Sequence, residues 1–156
     1  MAIENIGHRS YWIWDPFLDL GIESIDKQHR RIVDFINDLH EAHTSHNRLS
    51  VARTLDDLVD YTVTHFAFEE QLMKAAKYPL YDEHIKNHAS FTAHIYQYKQ
   101  RYEAGEDIVL PLISKLKLWL IHHIDVEDRK YIPYVNKNTT QSWIQTALTQ
   151  FWKLTS

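Results

Sequence analysis

Two pairs of residues carry the chemistry most legible in this chain. His65 and Glu69 are four residues apart, and so are His84 and His88. On an α-helix a four-residue step nearly completes one turn, so each pair projects from one face, about 6 Å apart along the axis. Imidazole and carboxylate presented by facing helices are how a helical bundle builds a metal site in its interior. The chain contains no cysteine, so the ligands available are nitrogen and oxygen. Such a shell suits iron, zinc, copper, nickel or manganese, and ligand chemistry alone does not choose among them.

Helices must position these side chains, and the sequence supplies four long ones. Residues 1–22 hold Trp12, Trp14, Pro16, Phe17 and Gly21 without helical period and read as an irregular arm across the domain. Ser24 or Asp26 then offers an N-cap. A first helix runs to about His43, with Ile25, His29, Ile32, Val33 and Ile36 forming a 3.6-residue stripe. A second is expected from about Leu49 to Ala76, ended by Tyr78-Pro79 because the residue before proline is biased out of the α region. The third spans about Tyr81 to Ala104, carrying His84, His88, Phe91, Ile95 and Tyr98 inward, with Gly105 as its left-handed stop. The fourth runs from about Asp107 to Val135, with Pro111 in its first turn and Ile113, Leu116, Leu120 and His123 facing in. Short connections between such helices imply an all-α fold, an antiparallel up-down four-helix bundle. Thr139 or Thr140 can cap a short extra helix whose Trp143, Ile144, Ala147, Leu148, Phe151 and Trp152 form an apolar band. The chain thus divides into a bundle domain, 1–136, and a C-terminal amphipathic extension, 137–156.

Composition narrows the rest. A length of 156 residues suits one domain with one core. Hydrophobic residues at 44% and charged residues at 24% are ordinary for a globular protein. A net charge of −4 and no basic stripe argue against nucleic acid. The absence of cysteine excludes disulfides and thiol redox chemistry and fits a reducing compartment. Glu4 near the start, and no basic stretch followed by an apolar run, give no sign of a signal peptide, so the expected location is the cytoplasm. Leu116 to Ile124, the most apolar segment, is too short and too charged to span a bilayer.

Eleven histidines are many for this length. His29 stands near the start of the first helix, and His123 with Asp128 on the fourth, so candidate ligands occupy all four inward faces. The elements Ile-Asp-x-Gln-His, His-Phe-x-x-Glu-Glu, Tyr-Pro-x4-His-x3-His and Trp-Leu-x-x-His-Ile-x3-Asp occur in that order over residues 12–135. In these the chain resembles the hemerythrin family, in particular its single-domain bacteriohemerythrins. The resemblance implies two iron ions bridged by Glu69, Asp128 and an oxo or hydroxo group. One iron would take His84, His88 and His123; the other would take His29 and His65 and keep one open position.

His123 and Asp128 are five residues apart, about 140° around an ideal helix. Either a local π-type turn brings them together or Asp128 reaches sideways. His123 and Glu127 show the four-residue spacing, and only the family pattern, with its register set by Trp119-Leu120, selects Asp128. The other histidines have plainer readings: His40, His43 and His46 as a solvated face, and His8, His94 and His122 as surface or half-buried residues. Glu70 reads as an outer or surface carboxylate and not as a third bridging ligand. Trp12, Trp14 and Trp119 read as core.

By that resemblance the chain is a non-haem di-iron protein that binds dioxygen reversibly, as hydroperoxide, at the open iron. Two carboxylates and five neutral imidazoles supply less negative charge than a carboxylate-rich oxygenase centre, which favours stopping at the diferric level. The pocket would be lined by Ile32, Phe66 and Leu120, with Phe91 and Trp119 nearby. Expected partners are dioxygen and small anions. An oxygen- or redox-sensing module acting on a protein partner through the C-terminal extension is the alternative, and a di-iron oxidase or peroxidase is a third reading.

Overall fold

The computed structural model describes residues 10–138 and 141–155. His8, Thr139 and Thr140 lie outside the described residues, as does the side chain of Trp152. Three columns are the helices α1 (Glu23–Thr44), α2 (Arg48–Ala75) and α3 (Tyr81–Glu103). The fourth column is α4 (Val109–His122), then a π-helical segment His123–Asp128, then α5 (Arg129–Asn138). Short connections reverse the chain between columns. α1 packs on α2 and α4, and α3 on the same two, which closes an antiparallel ring. The expected bundle is the observed one.

The stripes read from the sequence are the buried faces. Ile36, Leu39, Leu55, Leu58, Ile113 and Leu116 fill the centre, each contributing about 1.5–3 kcal/mol relative to exposure. The three columns α1, α2 and α3 end in the same way. Asn47 N–H donates to the Ala42 carbonyl (3.1 Å), Tyr78 N–H to Met73 (3.0 Å) and Glu106 N–H to Arg101 (3.0 Å). The residue before each donor has positive φ: His46 at 55°, Lys77 at 57° and Gly105 at 93°. This is the left-handed helix stop, which glycine makes without strain and a side chain makes at about 1–2 kcal/mol. Only the glycine was legible in advance.

One expectation is corrected at the start of α1. Neither Ser24 nor Asp26 is the N-cap; Ile22 holds that position without a side-chain bond. Asp26 lies inside the first turn and reaches back, accepting the Leu20 N–H at 2.7 Å and the Gly21 N–H at 3.1 Å. A carboxylate there also meets the positive end of the helix. Its effect is to fasten the arm, which further contains a 3-10 turn at Pro16–Leu18. Trp12 is buried, and its backbone exchanges two hydrogen bonds with the Asn37 side chain, at 2.8 and 2.9 Å.

α6 (Gln141–Thr155) packs on α2. Phe151 is buried there, edge-on to Tyr61 at 5.8 Å and to Phe68 at 5.6 Å. Among the described residues no helix is long and apolar enough to cross a membrane.

Candidate metal centre

Seven side chains from four columns meet in the bundle interior. α1 brings His29, α2 brings His65 and Glu69, α3 brings His84 and His88, and the π-helical segment brings His123 and Asp128. None is more than 2% exposed. Their donor atoms form two groups, each within 4.8 Å: Glu69, His84, His88, His123 and Asp128 in one, His29, His65 and Glu69 in the other.

The two carboxylates tie the groups together. Asp128 turns Oδ1 towards His84 Nε2 (3.1 Å) and His123 Nε2 (3.0 Å), and Oδ2 towards His29 Nε2 (3.1 Å). Glu69 turns Oε2 towards His84 Nε2 (4.0 Å) and Oε1 towards His29 Nε2 (3.7 Å) and His65 Nε2. Each carboxylate therefore gives one oxygen to each group. His88 Nε2 lies 3.1 Å from both His84 Nε2 and His123 Nε2.

The π-helical segment makes this possible. A π-turn spans about one residue more than an α-turn, so side chains five apart come round to the same side. His123 and Asp128 thus share an inward face, whereas Glu127 is left on the outside beside His122 and Lys130. Of the two routes left open for Asp128, the chain uses the π-turn.

The donor set fits a pair of cations. His29 Nε2, His65 Nε2 and all four carboxylate oxygens are buried without a hydrogen bond of good geometry. Buried polar groups are rarely left so, and two ionised carboxylates in an apolar interior demand a positive partner. The Nε2 atoms of His84 and His123 each lie 3.1 Å from His88 Nε2 and about as close to Asp128 Oδ1, a convergence of lone pairs that suits a cation.

In the metal-free chain, burial and the carboxylates compete for the imidazole protons. Burial disfavours a charged His29, but Asp128 and Glu69 outweigh it and raise the pKa to about 9. Burial also opposes charge on His84, and Asp128 overcomes it to raise that pKa. For His65 and His88 burial prevails and the pKa falls. Burial pushes Glu69 and Asp128 upward, yet the surrounding histidines hold both below the usual carboxylate range. Carboxylates that stay ionised when buried attract metal, and metal uptake displaces the proton that His29 would otherwise hold.

Around the donors stands a layer that sequence reasoning largely missed. Gln28 Oε1 accepts from His65 Nδ1 at 2.6 Å, and Glu70 Oε1 accepts from His88 Nδ1 at 3.1 Å. Gln28 precedes His29 in a quoted motif, but nothing in its spacing revealed His65 as its partner. Tyr131 is fully buried, its ring 5.7 Å from His84. Burial, then the Glu69 and Asp128 charges, hold its phenol well above the ordinary range. Tyr131 lies three residues after Asp128, a spacing that could have found it.

Ile32, Phe66 and Leu120 are all buried. Phe66 stacks on His88 at 3.8 Å and lies 5.8 Å from His65, so it touches both groups. Trp119 is only half-buried and lies flat on His123 at 4.3 Å, with Phe91 stacked on it at 3.5 Å. The remaining described histidines stay away from the donors: His46, His94 and His122 are exposed, and His40 and His43 half-buried.

Comparison with known proteins agrees with this geometry. The family model described as hemerythrin HHE cation binding domain matches residues 20–135. A bacteriohemerythrin of Stenotrophomonas maltophilia is 43% identical over 129 residues, covering 83% of this chain and 84% of the relative. One of Pseudomonas aeruginosa is 35% identical over 151 residues, covering 92% and 99%. A myohemerythrin of Riftia pachyptila is 32% identical over 122 residues, covering 78% and 92%. A crystal structure of wild-type hemerythrin superimposes with a TM-score of 0.76 at 27% identity, covering 80% of this chain and 98% of the other.

Proposed function

This chain belongs to the hemerythrin family, and on that premise we propose that it binds dioxygen reversibly at a non-haem di-iron centre. The observation that carries this reading is the division of seven buried donors into two groups bridged by Glu69 and Asp128. His84, His88 and His123 would hold one iron, and His29 and His65 the other. When bound, the iron pair with its oxo or hydroxo bridge supplies one electron from each metal and an open position for a small ligand.

The chain's own residues do the rest. Five neutral imidazoles and two carboxylates only partly offset two dications, which stops oxidation at a mild level and suits reversible binding over turnover. Ile32, Phe66 and Leu120 would keep water from the open position, and Phe66, set edge-on to the stacked pair Phe91 and Trp119, would help them wall the pocket. Small anions would compete for the same position. The proposed location is the cytoplasm, and the proposed role is oxygen binding, storage or delivery. The sensing alternative asks α6 to offer its apolar side to a protein. Phe151 and Ala147 are buried instead, so such a partner would have to read the half-buried Trp143, Ile144 and Leu148.

The test is metal analysis of iron-supplied protein together with visible spectra after dithionite reduction and after re-exposure to air. Two irons per chain and a lasting coloured form in air are expected. One equivalent of zinc without visible absorption overturns the metal assignment, and continuous dioxygen consumption with added reductant moves the protein to the oxidase class.

A further inference from the structure

We propose that Gln28 and Glu70 are positioning residues that make the two halves of the centre electronically unequal, Gln28 acting through His65 and Glu70 through His88. The proposal rests on the di-iron reading above. Both imidazoles turn Nε2 towards the donor cluster and Nδ1 away from it. For Nε2 to offer its lone pair, the proton must sit on Nδ1, and each outer contact holds it there: His65 Nδ1–H on Gln28 Oε1 at 2.6 Å, His88 Nδ1–H on Glu70 Oε1 at 3.1 Å. Among the described residues, His29 and His84 have no hydrogen-bond partner for Nδ1. Gln28 and Glu70 thus each give one half of the centre such a side-chain contact.

The two acceptors differ in charge, and that difference passes through the ring. A carboxylate draws the Nδ1 proton towards itself, raises the electron density at Nε2 and favours the more oxidised metal. An amide fixes the same tautomer and orientation without adding charge. The half with three histidines is therefore the electron-rich one. The half with two histidines, where the coordination position stays open, is the electron-poor one and holds an incoming anion more strongly.

The surroundings explain the allocation. Gln28 is fully buried behind His65, whose Nε2 faces the Glu69 carboxylate, and a further buried negative charge there would be unfavourable, while the Glu70 side chain is 29% exposed and keeps part of its hydration. Gln28 Nε2 is buried without a partner. Only the amide oxygen is used, so what the site exploits is the neutrality of the residue, not its donor. Gln28→Glu consequently preserves the His65 contact in shape and changes its charge.

Wild type, Gln28→Glu and Glu70→Gln should be loaded with iron, matched by metal analysis, and compared in two measurements. These are the midpoint potential by spectroelectrochemistry and the azide dissociation constant of the oxidised protein. Gln28→Glu is expected to lower the potential and raise the azide dissociation constant about tenfold, the low end for outer contacts at metal sites. Glu70→Gln is expected to raise the potential and to change azide binding less. A purely structural role would lower iron retention but move no potential at matched iron content. Unchanged potentials in both variants, or shifts in the same direction, overturn the proposal. Should Gln28→Glu fail to hold iron, Gln28→Leu and Glu70→Gln decide, since both remove an acceptor influence and both must raise the potential. A wild type that takes up no iron pair fails the parent reading; a wild type that loads normally while the variants keep its potential fails this inference alone.

Discussion

Leu120 sits three residues before His123, is 2% exposed, and offers water no hydrogen bond. If it walls the open half of the centre, its function is exclusion, and that can be separated from metal binding. Leu120→Asn should keep both irons and shorten the lifetime of the air-exposed coloured form at matched iron content. Burying the unpaired amide should lower stability by roughly 1–3 kcal/mol. Equal lifetimes would place Leu120 outside the pocket. Its burial was legible because Leu120 and His123 share a helical face, and the periodicity that places one inward places the other. Of the seven donors, His65, Glu69, His84 and His88 were readable from helix spacing, whereas His29, His123 and Asp128 were legible only through the family pattern, the last two because a five-residue step fits no α-helical face. The contacts of Gln28 and Glu70 were not legible. Gln28 meets His65, 37 residues away, and Glu70 meets His88, 18 away. Such pairings depend on how one column is rotated against the next, which periodicity within a single helix does not specify.

Helix existence and inward faces were likewise readable from period, proline and glycine. The stops at His46 and Lys77 were hidden because neither residue type advertises a left-handed backbone, and Asp26 looked like a cap because its chemistry is that of one. The π-helical segment is the element on which the centre turns. An uninterrupted α-helix would pair His123 with Glu127, and the observed turn pairs it with Asp128. Asp128→Ala should therefore lose iron, whereas Glu127→Ala should retain it; metal analysis showing the reverse would mean that the column runs as an ordinary α-helix. The C-terminal helix tests a different boundary. α6 follows the last donor and buries Phe151 against Tyr61 and Phe68 of α2, which makes it a brace for one column. A chain ending at Asn138 should keep its iron and visible spectrum while melting at a lower temperature. Phe151→Ala alone should cost about 3–5 kcal/mol. Iron loss on truncation would instead place the extension within the metal-binding unit.

The centre draws its donors from four columns that otherwise touch through apolar contacts, so the whole bundle is coupled to the metals. In the metal-free chain, seven polar side chains that are almost wholly buried face one another with two ionised carboxylates among them. That arrangement opposes packing, since a His29 whose pKa is raised to about 9 compensates the two carboxylates only in part and burying charged groups is costly. Metal converts the same groups from a source of repulsion into a cross-link between α1, α2, α3 and the π-helical segment. Because the unfolded chain cannot gather these donors, binding free energy is expressed as folding free energy. A metal present at 1,000 times its dissociation constant adds about 4 kcal/mol. In a chain of this size that corresponds to a rise in melting temperature of roughly 8–16 °C. Calorimetry of iron-loaded and chelator-stripped protein at one pH and ionic strength should show that difference, with helix content at low temperature little changed because the apolar stripes persist. Identical melting temperatures at a confirmed two irons per chain would mean that the metals do not tie the four columns together, and that the shared carboxylates Glu69 and Asp128 are not bridges.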